Sequence, residues 1–202
     1  TDSRNVVVYS VKSDTSISVG RGSSELRGAQ SFKVTEEIVV NGCELMLATG
    51  IGSGQGPLGI TVETDSSGVP SGTLVDATSA AAQILQGSIS AAMTFVHADF
   101  SGGFILSPGT SYWLVAKRNT QSGTDITYAW AEDTSSPTYP DGNAANFNDA
   151  VSPKWTAQPA NDLLFKISGY KNAKNYEYWL YVNTDNRATF RVSANGSSED
   201  IS

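Results

Sequence analysis

The chain has 202 residues, of which 39% are hydrophobic and 16% charged, and its formal charge is −7. That length makes one large domain or two small ones, and folding buries roughly 70% of the surface an unfolded chain exposes. The acidic balance excludes a nucleic-acid partner, which needs a basic footprint. The single cysteine, Cys43, excludes an internal disulfide and a cysteine-based zinc site.

Strand signals dominate in chain order. Asn5–Val11 and Ile38–Thr49 are rich in β-branched and apolar residues. Leu58–Thr64 alternates Leu58, Ile60 and Val62 against Gly59, Thr61 and Glu63, the period of a half-buried strand. Met93–Phe100 places Val96, Ala98 and Phe100 on one face, and Phe95, His97 and Asp99 on the other. Ser111–Lys117, Asp125–Ala131 and Leu163–Ser168 follow the same rule. Clusters of Gly, Pro, Asp and Ser at 65–72, 101–103, 107–109 and 120–123 predict turns. Ser79–Gln86 reads as two helical turns closed by Gly87, and no longer helix is predicted. Asp133–Asn161 reads as a long loop rich in Pro, Asn, Asp and Gly, and loops of that length in compact domains are functional or locally packed. Beyond Gly169, Tyr176–Val182 and Ala188–Val192 predict a hairpin around Asn183–Asn186, followed by a frayed tail.

Many short strands with almost no helix predict an all-β fold, a two-sheet antiparallel β-sandwich with an added C-terminal hairpin. The divisions are an N-terminal strand and lead-in (1–28), the sandwich (29–169), and the C-terminal hairpin and tail (170–202). Period-two placement puts Phe32, Leu45, Leu47, Ile60, Val62, Val96, Phe100, Leu114, Tyr128, Phe165 and Ile167 between the sheets.

Gly54-Gln-Gly56-Pro-Leu-Gly59 matches the spacing G-x-G-x-x-G. A dinucleotide-binding turn needs a helix after the glycines to face the anion. Here a strand follows, so the glycines predict a turn between strands.

Chemistry-bearing residues are sparse. His97 is the only histidine, without a G-x-S-x-G elbow or a second ligand. Cys43 alternates with Leu45 and Leu47 as a core thiol does. Carboxylates are numerous, but sequence spacing does not show which of them meet, so a glycosidase ranks a distant third. No catalytic residue is assigned and no enzyme is expected. No cofactor is expected either, although Asp141-Gly-Asn143 and Asn146–Asp149 carry oxygen ligands of the type a structural calcium uses, and ordinary Asx turns use too. No apolar run reaches the ~18 residues that span a membrane, and none reads as a signal peptide.

Gln30-Ser-Phe32, the run Leu58–Leu74, Phe100, Leu106–Leu114, Trp155 and Asp162–Gly169 together form a pattern. Through it, the stretch from Gln30 to Gly169 resembles the choice-of-anchor R type of jelly-roll-like domain found in extracellular and phage virion proteins. The resemblance implies a non-enzymatic module, similar to carbohydrate-binding and adhesive sandwiches, and supplies no catalytic residues. Ser79–Met93 and the hairpin after Gly169 depart from the family pattern.

The expected function is attachment at a virion or extracellular surface, with a surface glycan or neighbouring structural subunits as partner and an oligomer as the assembly. The alternative is a purely structural module of a capsid, tail or pilus. A neutral sugar needs an aromatic platform with amides or carboxylates beside it, so the expected ligand residues are Tyr139, Asp141, Asn143, Asn146 and Trp155. Four large aromatics within six positions, Tyr176, Tyr178, Trp179 and Tyr181, mark the expected subunit contact.

Overall fold

Apolar residues at every second position make a strand stable only where that face meets another layer. The computed structural model describes residues 8–9, 13–21, 24–50, 56–118, 126–135, 139–171, 176–182, 188–194 and 197–200. The chain divides into two compact units, 1–171 and 172–202.

The first unit is one continuous antiparallel sheet of fourteen strands, curled so that two layers enclose one core. The first layer runs β12 (Trp155–Gln158), β11 (Ala144–Asn148), β3 (Glu25–Phe32), β9 (Tyr112–Arg118) and β5 (Leu58–Asp65). On the far side of β5 lie β7 (Ala81–Ile84) and β6 (Pro70–Leu74). The second layer runs β2 (Thr15–Arg21), β10 (Ile126–Asp133), β4 (Ile38–Thr49) and β8 (Thr94–Leu106). Along the first part of β4, β14 (Phe165–Lys171) takes the place of β10, and β1 (Val8–Tyr9) pairs with its outer side. The short β13 (Asp162–Leu163) pairs with the end of β10. Two pairs in the β2–β3 hairpin, Gly20↔Leu26 and Arg21↔Glu25, carry the ladder from one layer to the other.

All eleven residues that alternation places between the sheets lie in this core. The layers touch closely at Gly28, where a Cβ would lie 2.5 Å from Ile17 Cδ1 and 3.0 Å from Trp130 Cε3. Phe32 of one layer and Phe165 of the other pack with rings tilted by 47° and centroids 5.9 Å apart. Cys43 is fully buried in the core, and that burial, with the charges of Glu44 and Asp99 adding to it, pushes its thiol far up.

The structure corrects four local expectations. Residues 79–86 contain strand β7 and not a helix, because the free edge of β5 pairs with Ala81–Ile84 and overrides helix propensity; a 3-10 turn follows at Gln86–Ser88. The glycines at 102 and 103 do not end a strand. They sit within β8, where the register against β4 shifts between Val40 and Gly42. The long segment 133–161 is not structureless, since β11 and β12 form a hairpin within it. The tail contributes a strand to the second unit, described next.

That second unit is a sheet of β15 (Tyr176–Val182), β16 (Ala188–Ala194) and β17 (Ser197–Asp200). β15 carries all four expected contact aromatics, with Trp179 in register with Arg191 and Tyr178 with Val192. What their side chains touch lies outside the described residues, as do Asn183–Asn186 and most of Asn5–Val11. Residues 51–55 of the glycine run also lie outside them. Strands flank that run on both sides, β4 ending at Thr49 and β5 starting at Leu58, and among the described residues no helix follows the glycines.

Candidate functional site

The end of the first layer gathers the polar loops. Strand β9 sends Tyr112, Leu114 and Ala116 into the core, so Trp113 and Val115 face the outer side. Trp113 is nonetheless 1% exposed, because Ala29, Val115, Ala145 and Trp155 pack around it, and its indole N–H donates to Asp65 Oδ1 at 2.7 Å. The other Asp65 oxygen accepts the N–H of Gly68 at 3.2 Å, in the turn that joins β5 to β6. Gly68 has φ +84°, a left-handed conformation that glycine adopts without strain.

Opposite this turn, the segment 139–143 is tied to β3. Ser31 Oγ accepts the N–H of Asn143 at 2.7 Å, and Ser31 N donates to the Asn143 carbonyl at 2.9 Å. In the amide orientation that gives each atom a partner, Asn143 Nδ2 donates to the carbonyls of Gly142 (3.0 Å) and Pro159 (3.1 Å). Position 142 has no room for a side chain, since a Cβ would collide with the carbonyl oxygen of Ser31. Between the two loops lies a groove of about 320 Å³, lined by Lys33, Asp65, Ser111, Trp113, Asp141 and Asn143 among others. Asp141 is exposed. The walls therefore present two carboxylates, one ammonium, hydroxyls and an amide, an array suited to ligand hydroxyls.

The five expected ligand residues separate. Asp141 and Asn143 line this groove together. Tyr139 starts the same segment, but its ring packs edge-on against Phe165 at 5.5 Å, and its hydroxyl donates to the Lys33 carbonyl at 3.3 Å. Burial raises the Tyr139 phenol above its ordinary value. Trp155 and Asn146 sit on the β11–β12 hairpin instead. Trp155 covers an outer cluster of Ala29, Trp113, Val115 and Ala145, and its ring lies 5.1 Å from Phe147. Asn146 lines a separate groove with Arg27, Phe147 and Lys154. Strand alternation on β11 divides these residues between faces, which a loop reading does not anticipate.

Two of the oxygen ligands at 146–149 are engaged within the chain: Asn148 Oδ1 accepts from Ala150 N at 2.9 Å and Asp149 Oδ1 from Glu25 N at 2.7 Å, whereas the buried Asn146 Oδ1 has no hydrogen-bond partner. Among the described residues, no group of three or more His, Cys, Asp or Glu side chains is placed to hold a metal ion. Asp65, Lys33 and Ser111 escape a sequence reading because only strand pairing brings them to the segment 139–143: β9 lies between β5, where Thr64 meets Tyr112, and β3, where Phe32 meets Tyr112. The outward set on β9, by contrast, is signalled by Trp113 alternating with Tyr112 and Leu114.

No protein-family model matches this chain, and no curated protein matches it significantly.

Proposed function

We propose that the protein is a non-catalytic attachment module of a virion or cell surface that holds a neutral glycan in the rim groove. The observation that carries this reading is the meeting of Asp141 and Asn143 with Asp65, Lys33 and Ser111 in one groove. Sugar hydroxyls donate to carboxylates and to an amide oxygen such as that of Asn143, and accept from the Lys33 ammonium, so this set complements a polyol. The chain's charge of −7 and two carboxylates against one lysine in the groove disfavour sialylated or sulfated ligands. The resemblance of residues 30–169 to choice-of-anchor R domains supports the same reading, as do the buried thiol of Cys43 and the exposed His97 for the non-catalytic part. A glycan-array screen of the full chain tests it, followed by Asp141→Ala. Because Asp141 is exposed, the variant should keep the wild-type melting curve and lose about fivefold or more in affinity, the worth of one hydrogen bond. An array with no bound glycan would retire this reading.

The second reading is assembly, in which the C-terminal unit joins neighbouring subunits. Its support is the existence of residues 172–202 as a compact three-stranded unit of their own, shorter than the roughly 40 residues below which a fold usually needs a partner, a disulfide or a metal. Truncation after Lys171 should then lower the number of chains per particle, obtained as the solution mass divided by the mass of one chain, and an unchanged number would count against assembly through this unit.

A further inference from the structure

A second polar groove, of about 460 Å³, lies on the outer face of the second layer, away from the rim. Register builds it: Lys166, Glu44 and His97 stand side by side across β14, β4 and β8, and Ser168, Gly42 and Asp99 form the next row. Two bulges border this patch, one where β4 shifts against β8 between Val40 and Gly42, the other where β14 shifts after Ser168. Bulges of this kind re-aim side chains beside functional sites.

The charged groups come as couples. Lys166 Nζ lies 2.6 Å from Glu44 Oε2 and 3.9 Å from the centre of the Phe95 ring. His97 Nε2 and Asp99 Oδ1 share a hydrogen bond of 2.8 Å. Each couple offers a donor beside an acceptor, which is what a hydroxyl, both donor and acceptor, requires. An anionic ligand would meet the carboxylate of either couple, and a cationic one the Lys166 ammonium. Residue 42 is glycine because His97 and Ser168 close over it: a Cβ there would lie 2.9 Å from His97 Cε1 and 3.0 Å from Ser168 Oγ, so these two side chains together form the floor. His97 and Asp99 remain accessible, their side chains 47% and 86% exposed.

We propose that this groove is a binding site for a neutral polyhydroxylated ligand, a sugar ring seated on the floor that His97 and Ser168 form, beside the Lys166–Glu44 couple. The site does not depend on the rim groove, and the two together would make one chain bivalent for a polysaccharide.

Amide chemical shifts of the isotope-labelled full chain, titrated with glucose, galactose, mannose and their N-acetylated forms, test the proposal. At least one of these should perturb Gly42, Glu44, His97 and Ser168 together. His97→Ala and Ser168→Ala should each weaken that binding about fivefold or more, again the worth of one hydrogen bond, with the melting temperature of His97→Ala unchanged. Asp141→Ala should leave these perturbations in place, which separates this site from the rim. The proposal is overturned by perturbations confined to residues 65–68 and 139–143, by none at all, by unchanged affinity in His97→Ala, or by tighter binding of glucuronate or glucosamine than of glucose.

Discussion

The indole N–H of Trp113 donates to the carboxylate of Asp65 across 2.7 Å, so a nearly fully buried ring is anchored by the last residue of the neighbouring strand. The same carboxylate holds the Gly68 amide, so one side chain fixes both a tryptophan and a turn. Removing it leaves a buried donor without an acceptor. Asp65→Ala should therefore cost about 1–3 kcal/mol, read as a lower urea midpoint by tryptophan fluorescence. Asp65→Asn keeps an acceptor oxygen and should lose less. Equal midpoints for wild type and Asp65→Ala would contradict the anchoring role.

Tyr139 offers a sharper separation of packing from binding. Its ring meets Phe165 at 86°, and Phe165 in turn packs at a tilt against Phe32 within the core. Phe165→Ala should cost roughly 3–5 kcal/mol, the range for a buried aromatic. Tyr139→Phe keeps the ring and removes only the hydroxyl, which accepts from Lys33 N at 3.1 Å, so it should cost about 1 kcal/mol. Glycan affinity per folded molecule should stay at the wild-type level in Tyr139→Phe. A drop in affinity with no change in melting temperature would instead assign the hydroxyl to the ligand.

The core was legible because burial repeats every second residue: Leu58, Ile60 and Val62 declare a face, and the structure buries all three. Ala81–Ile84 was not, since alanines carry no period and the free edge of β5 decides their conformation. Strand β3 was only half legible because its inner positions include Gly28 and Gln30. Gln30 is buried yet polar, and it is satisfied by Asp162 at 3.2 Å and by the Leu163 amide at 2.6 Å. Asp141 and Asn143 could be picked out as polar groups near an aromatic residue. Asp65, more than seventy positions earlier, could not, because proximity across β5 and β9 is a property of register.

Asp162 ties the segment 139–143 to β3, accepting from Tyr139 N at 2.8 Å and from Gln30 Nε2. It is fully buried and sits in register with Asp133. Burial raises its pKa above the ordinary 3.8; the bonds from Tyr139 and Gln30 pull it down, and the charge of Asp133 adds to the rise. The folded state therefore holds this proton to higher pH than the unfolded chain does. Its contribution to stability is fully present below the unfolded value and is lost as pH rises through the folded one. Glu132 is raised in the same direction, mainly by burial. The urea midpoint should fall as pH rises from the ordinary carboxylate value, and Asp162→Asn should flatten part of that slope. A variant whose slope matches wild type would remove Asp162 as a cause.

Trp155 makes the last test, because a tryptophan near polar loops invites a ligand role that its position argues against. The outer face of a sandwich sheet is ordinarily solvated, yet Ala29, Val115 and Ala145 are fully buried there and Trp113 nearly so. Trp155 packs against that cluster from the edge strand β12, and Phe147 supports its ring at 5.1 Å. Removing the ring returns this apolar patch to water and loosens the hold of β12 on β11. Trp155→Ala should cost about 2–3 kcal/mol, below the 3–5 of a fully enclosed aromatic because Trp155 is only half-buried. It should also raise solvent quenching of Trp113 fluorescence, while Trp155→Phe restores much of the loss. Since Trp155 does not line the rim groove, glycan affinity of the folded variants should match wild type. Loss of glycan binding with an unchanged melting curve would move the ligand site onto the β11–β12 hairpin.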